Sequence, residues 1–144
     1  MAPFSTAYSI ATNGNTADYT KFIIGSVTSP TASAGSYVRW QQIGCNVTVE
    51  FKYIFATVGS GNFTLTLPVP INANYPKPQS IFHIRYITGG GQVHYGFYNE
   101  NNSTSISAVA QTTFGGVPAN LTTASPNTLN IADIMSGVIM YETC

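Results

Sequence analysis

The sequence predicts an all-β, antiparallel sandwich in a single domain spanning residues 1–144. Three observations carry this. Apolar and polar residues alternate over many short stretches, the pattern of strands with one buried and one wet face. Clusters of Gly, Pro, Asn and Ser interrupt those stretches at short intervals, as in sandwiches and barrels. No stretch keeps a helical period through three turns.

The elements follow in chain order. Met1–Ser5 is set apart as a candidate N-terminal arm, and Thr6–Thr12 alternates around Tyr8 and Ile10. Lys21–Val27 carries Phe22, Ile23, Ile24 and Val27, and Ser29–Gly35 is a loop. Ser36–Ile43 offers Tyr37, Val38, Trp40 and Ile43. Cys45–Thr57 is the clearest strand: Cys45, Val47, Val49, Phe51, Tyr53 and Phe55 fall on one face, and Asn46, Thr48, Glu50 and Lys52 on the other. Its apolar face should cross the centre of the core. Asn62–Leu67 follows, ended by Pro68 and Pro70, which lack the backbone donor a sheet needs. The Tyr75-Pro76-Lys77-Pro78 link is expected to cross between sheets. Ile81–Thr88 and Gln92–Tyr98 flank Gly89-Gly90-Gly91, a hairpin signal because glycine accepts positive φ. Ser103–Phe114 is a weaker strand, Thr128–Met135 is read as holding one short helical turn, and Gly137–Thr143 closes the fold.

Only 7% of the residues are charged, against about 25% in an ordinary soluble domain. Five basic residues (Lys21, Arg39, Lys52, Lys77, Arg85) balance five acidic ones (Asp18, Glu50, Glu100, Asp133, Glu142). Nucleic-acid binding draws its affinity from many cations displacing phosphate counterions, so neither nucleic acid nor an anionic membrane is an expected partner. Near-zero net charge removes repulsion between copies and tilts the expectation toward self-association.

Cys45 and Cys144 are too few for a disulfide scaffold. A bridge between them must meet strict Cβ geometry; two free thiols are the blander reading and fit assembly in a reducing cytosol. Met1-Ala2-Pro3-Phe4 lacks the features of a signal peptide, so residence in the cytoplasm without export is expected. The Asn-x-Ser/Thr triplets at Asn46, Asn62, Asn101, Asn102 and Asn120 are accordingly read as unglycosylated.

Chemistry has little to work with. His83 and His94 lie on the two arms of the glycine hairpin. With a symmetric turn, Tyr86 faces His94 and Phe97 faces His83, and the histidines point to opposite faces. A one-residue slip would put them on one face but about 13 Å apart. Neither register builds a metal site. No nucleophile elbow, phosphate loop or zinc-helix motif occurs, and the carboxylates are scattered over five segments. No catalytic, cofactor or metal residues are assigned, and an enzyme is not expected. Trp40, Tyr75, Tyr86, Tyr95 and Tyr98 are candidates for a sugar-binding or subunit-contact surface, beside the blander expectation that most of them line the core.

The stretch Gly35-Ser36-Tyr37-Val38-Arg39-Trp40-Gln41-Gln42-Ile43-Gly44-Cys45-Asn46-Val47-Thr48-Val49 resembles a pattern in bacteriophage virion proteins, in which a Tyr-x-Arg segment leads through a glycine turn into a Val-rich strand. Gly59-Ser60-Gly61, Phe63-Thr64-Leu65-Thr66-Leu67-Pro68 and the closing Ser136-Gly137-Val138-Ile139-Met140-Tyr141 extend the likeness. The Trp40-Gln41-Gln42 step before Gly44 departs from it. The resemblance implies a jelly-roll-like sandwich assembled as a trimer on the outside of a virion, as in capsid decoration (cement) proteins and tail-fibre heads. The expectation is a homotrimeric decoration protein that stabilises the shell, with itself and the major capsid protein or other virion proteins as partners. The alternative is a tail-fibre or receptor-binding head that binds host cell-surface glycan.

Overall fold

Alternation becomes architecture along β5 (Asn46–Thr57), where Val47, Val49, Phe51, Tyr53 and Phe55 are all buried and the residues between them face outward. The computed structural model describes residues 9–11, 22–72, 74, 81–87, 91–110, 117–125 and 128–144. Among them the strands are β1 (Ser9–Ala11), β2 (Ile23–Gly25), β3 (Thr31–Ala32), β4 (Tyr37–Ile43), β5, β6 (Phe63–Thr66), β7 (Ile81–Tyr86), β8 (Gln92–Asn102), β9 (Ser105–Ala110), β10 (Ala119–Asn120) and β11 (Ile134–Glu142). The described residues contain no helix.

All pairings are antiparallel, in the order β1-β4-β5-β11-β7-β8-β9-β6-β2, with β3 added to β5 and β10 to β9. Strands remote in sequence are neighbours: β11 lies between β5 and β7, and β6 lies between β9 and β2. The sheet curls so that its two ends face each other. Phe55 of β5 meets Phe63 of β6 at 6.2 Å between ring centroids, and Phe22, just before β2, meets Phe51 at 4.9 Å. These pairs are far apart along the sheet path yet share one core cluster, which makes the fold sandwich-like. Gly59 lies in the connection between β5 and β6, packed against Thr28 and Pro30. Its φ is +62°, and an added Cβ would lie 2.7 Å from the Pro30 nitrogen, so the chain can pass there only without a side chain.

Two connections differ from the sequence expectation. The β7–β8 hairpin pairs His83 with Tyr95, Ile84 with His94 and Tyr86 with Gln92, two residues out from the symmetric glycine turn. The cause lies elsewhere in the chain. Asp133 is fully buried, and its Oδ1 accepts the Ile87 amide at 2.7 Å, which draws Ile87 out of the ladder and into the turn. Oδ2 accepts the Asn130 amide at 2.8 Å, and the Asp133 carbonyl accepts from Phe55 N at 3.0 Å. This anchoring also explains the second difference. In place of a helical turn within Thr128–Met135, the chain makes a turn through Ile131 and Ala132 (φ +74°), and β11 begins at Ile134, earlier than the expected Gly137.

The expected strand over Ser103–Phe114 is β9, described to Ala110, and β8 runs on past Tyr98 to Asn102. The Pro76–Pro78 link lies outside the described residues. Gly137, on β11, faces inward where a Cβ would lie 2.7 Å from the Tyr98 hydroxyl and 2.9 Å from Phe82 Cβ. Its missing side chain makes room for both rings.

The free-thiol reading is overturned: Cys45 and Cys144 are joined by a disulfide with a Cα–Cα separation of 5.2 Å. The backbone sets this up. Glu142 pairs with Asn46, and Thr143 N donates to the Cys45 carbonyl at 2.9 Å, which brings the two cysteines side by side.

Replacing Phe51, which is 1% exposed at the centre of the core, with Ala is expected to cost about 3–5 kcal/mol in urea melts. The bridge closes a loop of 99 residues, so reduction, or the paired substitution of Cys45 and Cys144 by Ser, is expected to lower stability by about 2–4 kcal/mol while the β circular dichroism spectrum persists.

Candidate functional site

The outward face of β4, β5, β11, β7 and β8 gathers most of the chemistry in the described residues. Strand register aligns one residue from each strand into a lateral row: Tyr37, Lys52, Ser136, His83 and Tyr95. One step along the strands lies a row of Ile54, Ile134, Arg85 and Val93, and on the other side lie Arg39, Glu50 and Val138. Beyond these, toward the disulfide, come Gln41, Thr48 and Met140 and then Ile43.

Within this face Ser136 Oγ and His83 Nε2 share a hydrogen bond of 2.8 Å, and the His83 and Tyr95 rings lie 6.4 Å apart. Arg39 forms an ion pair with Glu50; its Nε donates to Oε2 at 2.7 Å, and its guanidinium lies 5.3 Å from the centre of the Tyr37 ring. Tyr37 donates its hydroxyl to Glu50 Oε1 at 3.2 Å. Partial burial, then the Glu50 charge, raise the Tyr37 phenol above its ordinary value. Arg39 and Glu50 are 42% and 37% exposed, so their pairing contributes at most about 1 kcal/mol and serves mainly to hold Glu50 in place. A shallow depression lined by Arg39, Trp40, Gln41, Thr48 and Glu50 adjoins the pair.

Charge is segregated. Among the described side chains, Arg39, Glu50, Lys52, Arg85 and Glu142 all lie on this face, and Asp133 is buried. The outward residues of β6 and β9 are Thr64, Thr66, Ser105, Ser107 and Val109.

Of the five aromatics singled out from the sequence, the four that are described do not converge. Trp40 is half-buried against the core on the inner side of β4. Tyr86 and Tyr98 are core residues, 0% and 4% exposed, which removes them from any ligand surface. Tyr75 lies outside the described residues. Tyr95 alone is open, at 70% exposure. The histidines point to opposite faces as expected, and His94 still packs edge-on against Tyr86 at 5.5 Å although its register partner is Ile84; His83 lies beside Tyr95 in place of Phe97. No group of three His, Cys, Asp or Glu side chains that could hold a metal occurs among the described residues. Lys52, Ser136 and Arg85 were missed by sequence reasoning. Only the pairing of β11 with both β5 and β7 brings them together.

Fold and face together define an antiparallel β-sandwich with one charged, aromatic-bearing outer sheet face. Comparison with protein-family models, with curated proteins and with solved structures finds no match to this chain.

Tyr141, at the end of β11, closes the core with two hydrogen bonds to Val69: its hydroxyl donates to the carbonyl at 2.7 Å and accepts from the amide at 3.3 Å. Burial pushes its phenol up to about 12, opposed by the Val69 bond, and burial likewise raises Tyr53 and Tyr98. Unfolded, these phenols ionise near 10, so above that pH the unfolded chain loses protons that the folded chain still holds. Stability from these groups is therefore intact below about pH 10 and is lost as pH rises toward about 12. Thermal melts across this range should show that decline, with a shallower slope for Tyr141→Phe.

Proposed function

We propose that this protein is a structural subunit of the outer surface of a bacteriophage virion, a decoration (cement) protein that forms a homotrimer and contacts the major capsid protein. One observation supports this reading more than any other. Two of the stretches that carry the resemblance to virion proteins, Gly35–Val49 and Ser136–Tyr141, are well separated in sequence, yet they form the adjacent strands β4, β5 and β11. A further stretch, Phe63–Pro68, lies on β6 toward the other end of the sheet. The Ser136-Gly137 step of the resemblance has a physical role, because Gly137 makes room for Phe82 and Tyr98.

Sparse charge fits the same reading. Ile43, Val138 and Met140 are exposed at the disulfide end of the outer face. Contacts between copies in a chain of zero net charge must be mainly apolar and hydrogen-bonded, and obligate interfaces of that kind bury upwards of about 2,000 Å².

Light scattering coupled to size exclusion should give the mass of a trimer, unchanged between low and high salt, because screened surface ion pairs contribute little to such an interface. Co-sedimentation with undecorated capsids tests the shell contact. A monomer in both salt conditions overturns the trimer, and failure to bind capsids overturns the decoration role.

A further inference from the structure

The two described lysine and arginine side chains not engaged by Glu50, Lys52 and Arg85, stand on the same outer face on either side of β11. Lys52 lies opposite Ser136 on one side of β11, and His83 lies opposite Ser136 on the other. Adjacent strands are about 4.8 Å apart, so Lys52 and His83 flank Ser136 across about 10 Å. Arg85 is two residues along β7 from His83 and points the same way, about 7 Å further on. The nearest acid in these rows, Glu50, already accepts from Arg39 and Tyr37. Asp133, near Arg85, is buried and accepts from the Ile87 and Asn130 amides, so both nearby described carboxylates are already engaged. Tyr95 stands at the edge of this patch with its ring 70% exposed.

We propose that Lys52, His83, Arg85, Ser136 and Tyr95 form a binding site for an acidic saccharide, a sugar bearing a carboxylate or sulfate. Lys52 and Arg85 supply the charge for the acidic group, and the planar fork of Arg85 matches two of its oxygens. The Ser136 hydroxyl and the His83 imidazole, already bonded to each other at 2.8 Å, offer donors and acceptors to sugar hydroxyls. The open Tyr95 ring receives the C–H face of the pyranose. Two fixed cations and one imidazole are too few to neutralise a run of phosphates, which argues against nucleic acid at this site. The surface is flat, so each site binds weakly, with a dissociation constant on the order of 1 mM. The proposal does not depend on the trimer, although linked copies would strengthen attachment to a multivalent glycan.

The test is a titration of the ¹⁵N-labelled protein, followed by amide chemical shifts, with sialyllactose, sulfated lactose, unmodified lactose and sodium sulfate. Both acidic sugars should move the signals of Lys52, His83, Arg85, Tyr95 and Ser136, with lactose at least tenfold weaker. Lys52→Gln combined with Arg85→Gln should weaken the acidic sugars at least tenfold. Tyr95→Ala should weaken them several-fold while leaving sulfate binding unchanged. These positions are on the surface, and the spectra of the variants report directly that the fold is intact. Equal binding of lactose, shifts confined to other regions, or no shifts at all would overturn the site. Sulfate binding as tightly as the acidic sugars, with no effect of Tyr95→Ala, would overturn the saccharide assignment. So would tighter binding of a short single-stranded oligonucleotide at the same residues.

Discussion

The long pairing of β5 with β11 is the constraint on which the rest of the structure depends. It runs from Ile134 opposite Ile54 to Glu142 opposite Asn46, without a break in register. On the inner face it sets Met135 beside Tyr53 and Ile139 beside Val49, all four at or near zero exposure. On the outer face it sets Ser136 beside Lys52 and Val138 beside Glu50. Each half of the sheet is attached through it: β4 and β1 hang from β5, and β7, β8, β9, β6 and β2 follow from β11. The two ends can fold over and meet at Phe55 and Phe63 only because this central seam fixes where each half begins.

The seam explains how far the sequence could be read. The strands themselves were legible, because a period of two along Val47–Phe55 leaves no other arrangement that buries five apolar side chains together. Pairing between distant strands was not. The register of the glycine hairpin is decided by Asp133, which takes the Ile87 amide across a separation of 46 residues, and nothing within the hairpin reveals this. The Cys45–Cys144 bridge was hidden for the same reason: it follows from Glu142 lying opposite Asn46, a long-range pairing. The candidate site was the least legible part. Of the five aromatics picked by residue type, Tyr86 and Tyr98 proved to be core, and only Tyr95 joins a surface row whose other members were not suspected.

Sparse charge has a different meaning once its placement is known. Spread evenly, five cations among 144 residues would give no local field worth naming. Instead, the described charges on the surface share one sheet face, where Arg39 and Glu50 satisfy each other and Lys52 and Arg85 stand near His83. The described outward strand positions of β6 and β9 carry hydroxyl groups, apart from the buried Val109, which pairs with Asn120 of β10. The described exterior is therefore of two kinds, one sheet face that carries charge and outward positions on β6 and β9 that carry hydroxyl groups.

The central position of β11 also bears on how the chain comes into being. Every other described strand precedes it in the sequence, so β5 and β7, its neighbours on either side, are synthesised with nothing yet available to fill the gap between them. Until Ile134–Glu142 emerges, both present open backbone edges of the kind that recruit strands from other molecules. Cores closed by contacts this remote also form slowly, which lengthens the exposure. A nascent chain of this protein is thus vulnerable to mispairing just before β11 arrives, and crowded synthesis of many copies would favour exchange of that strand between neighbours.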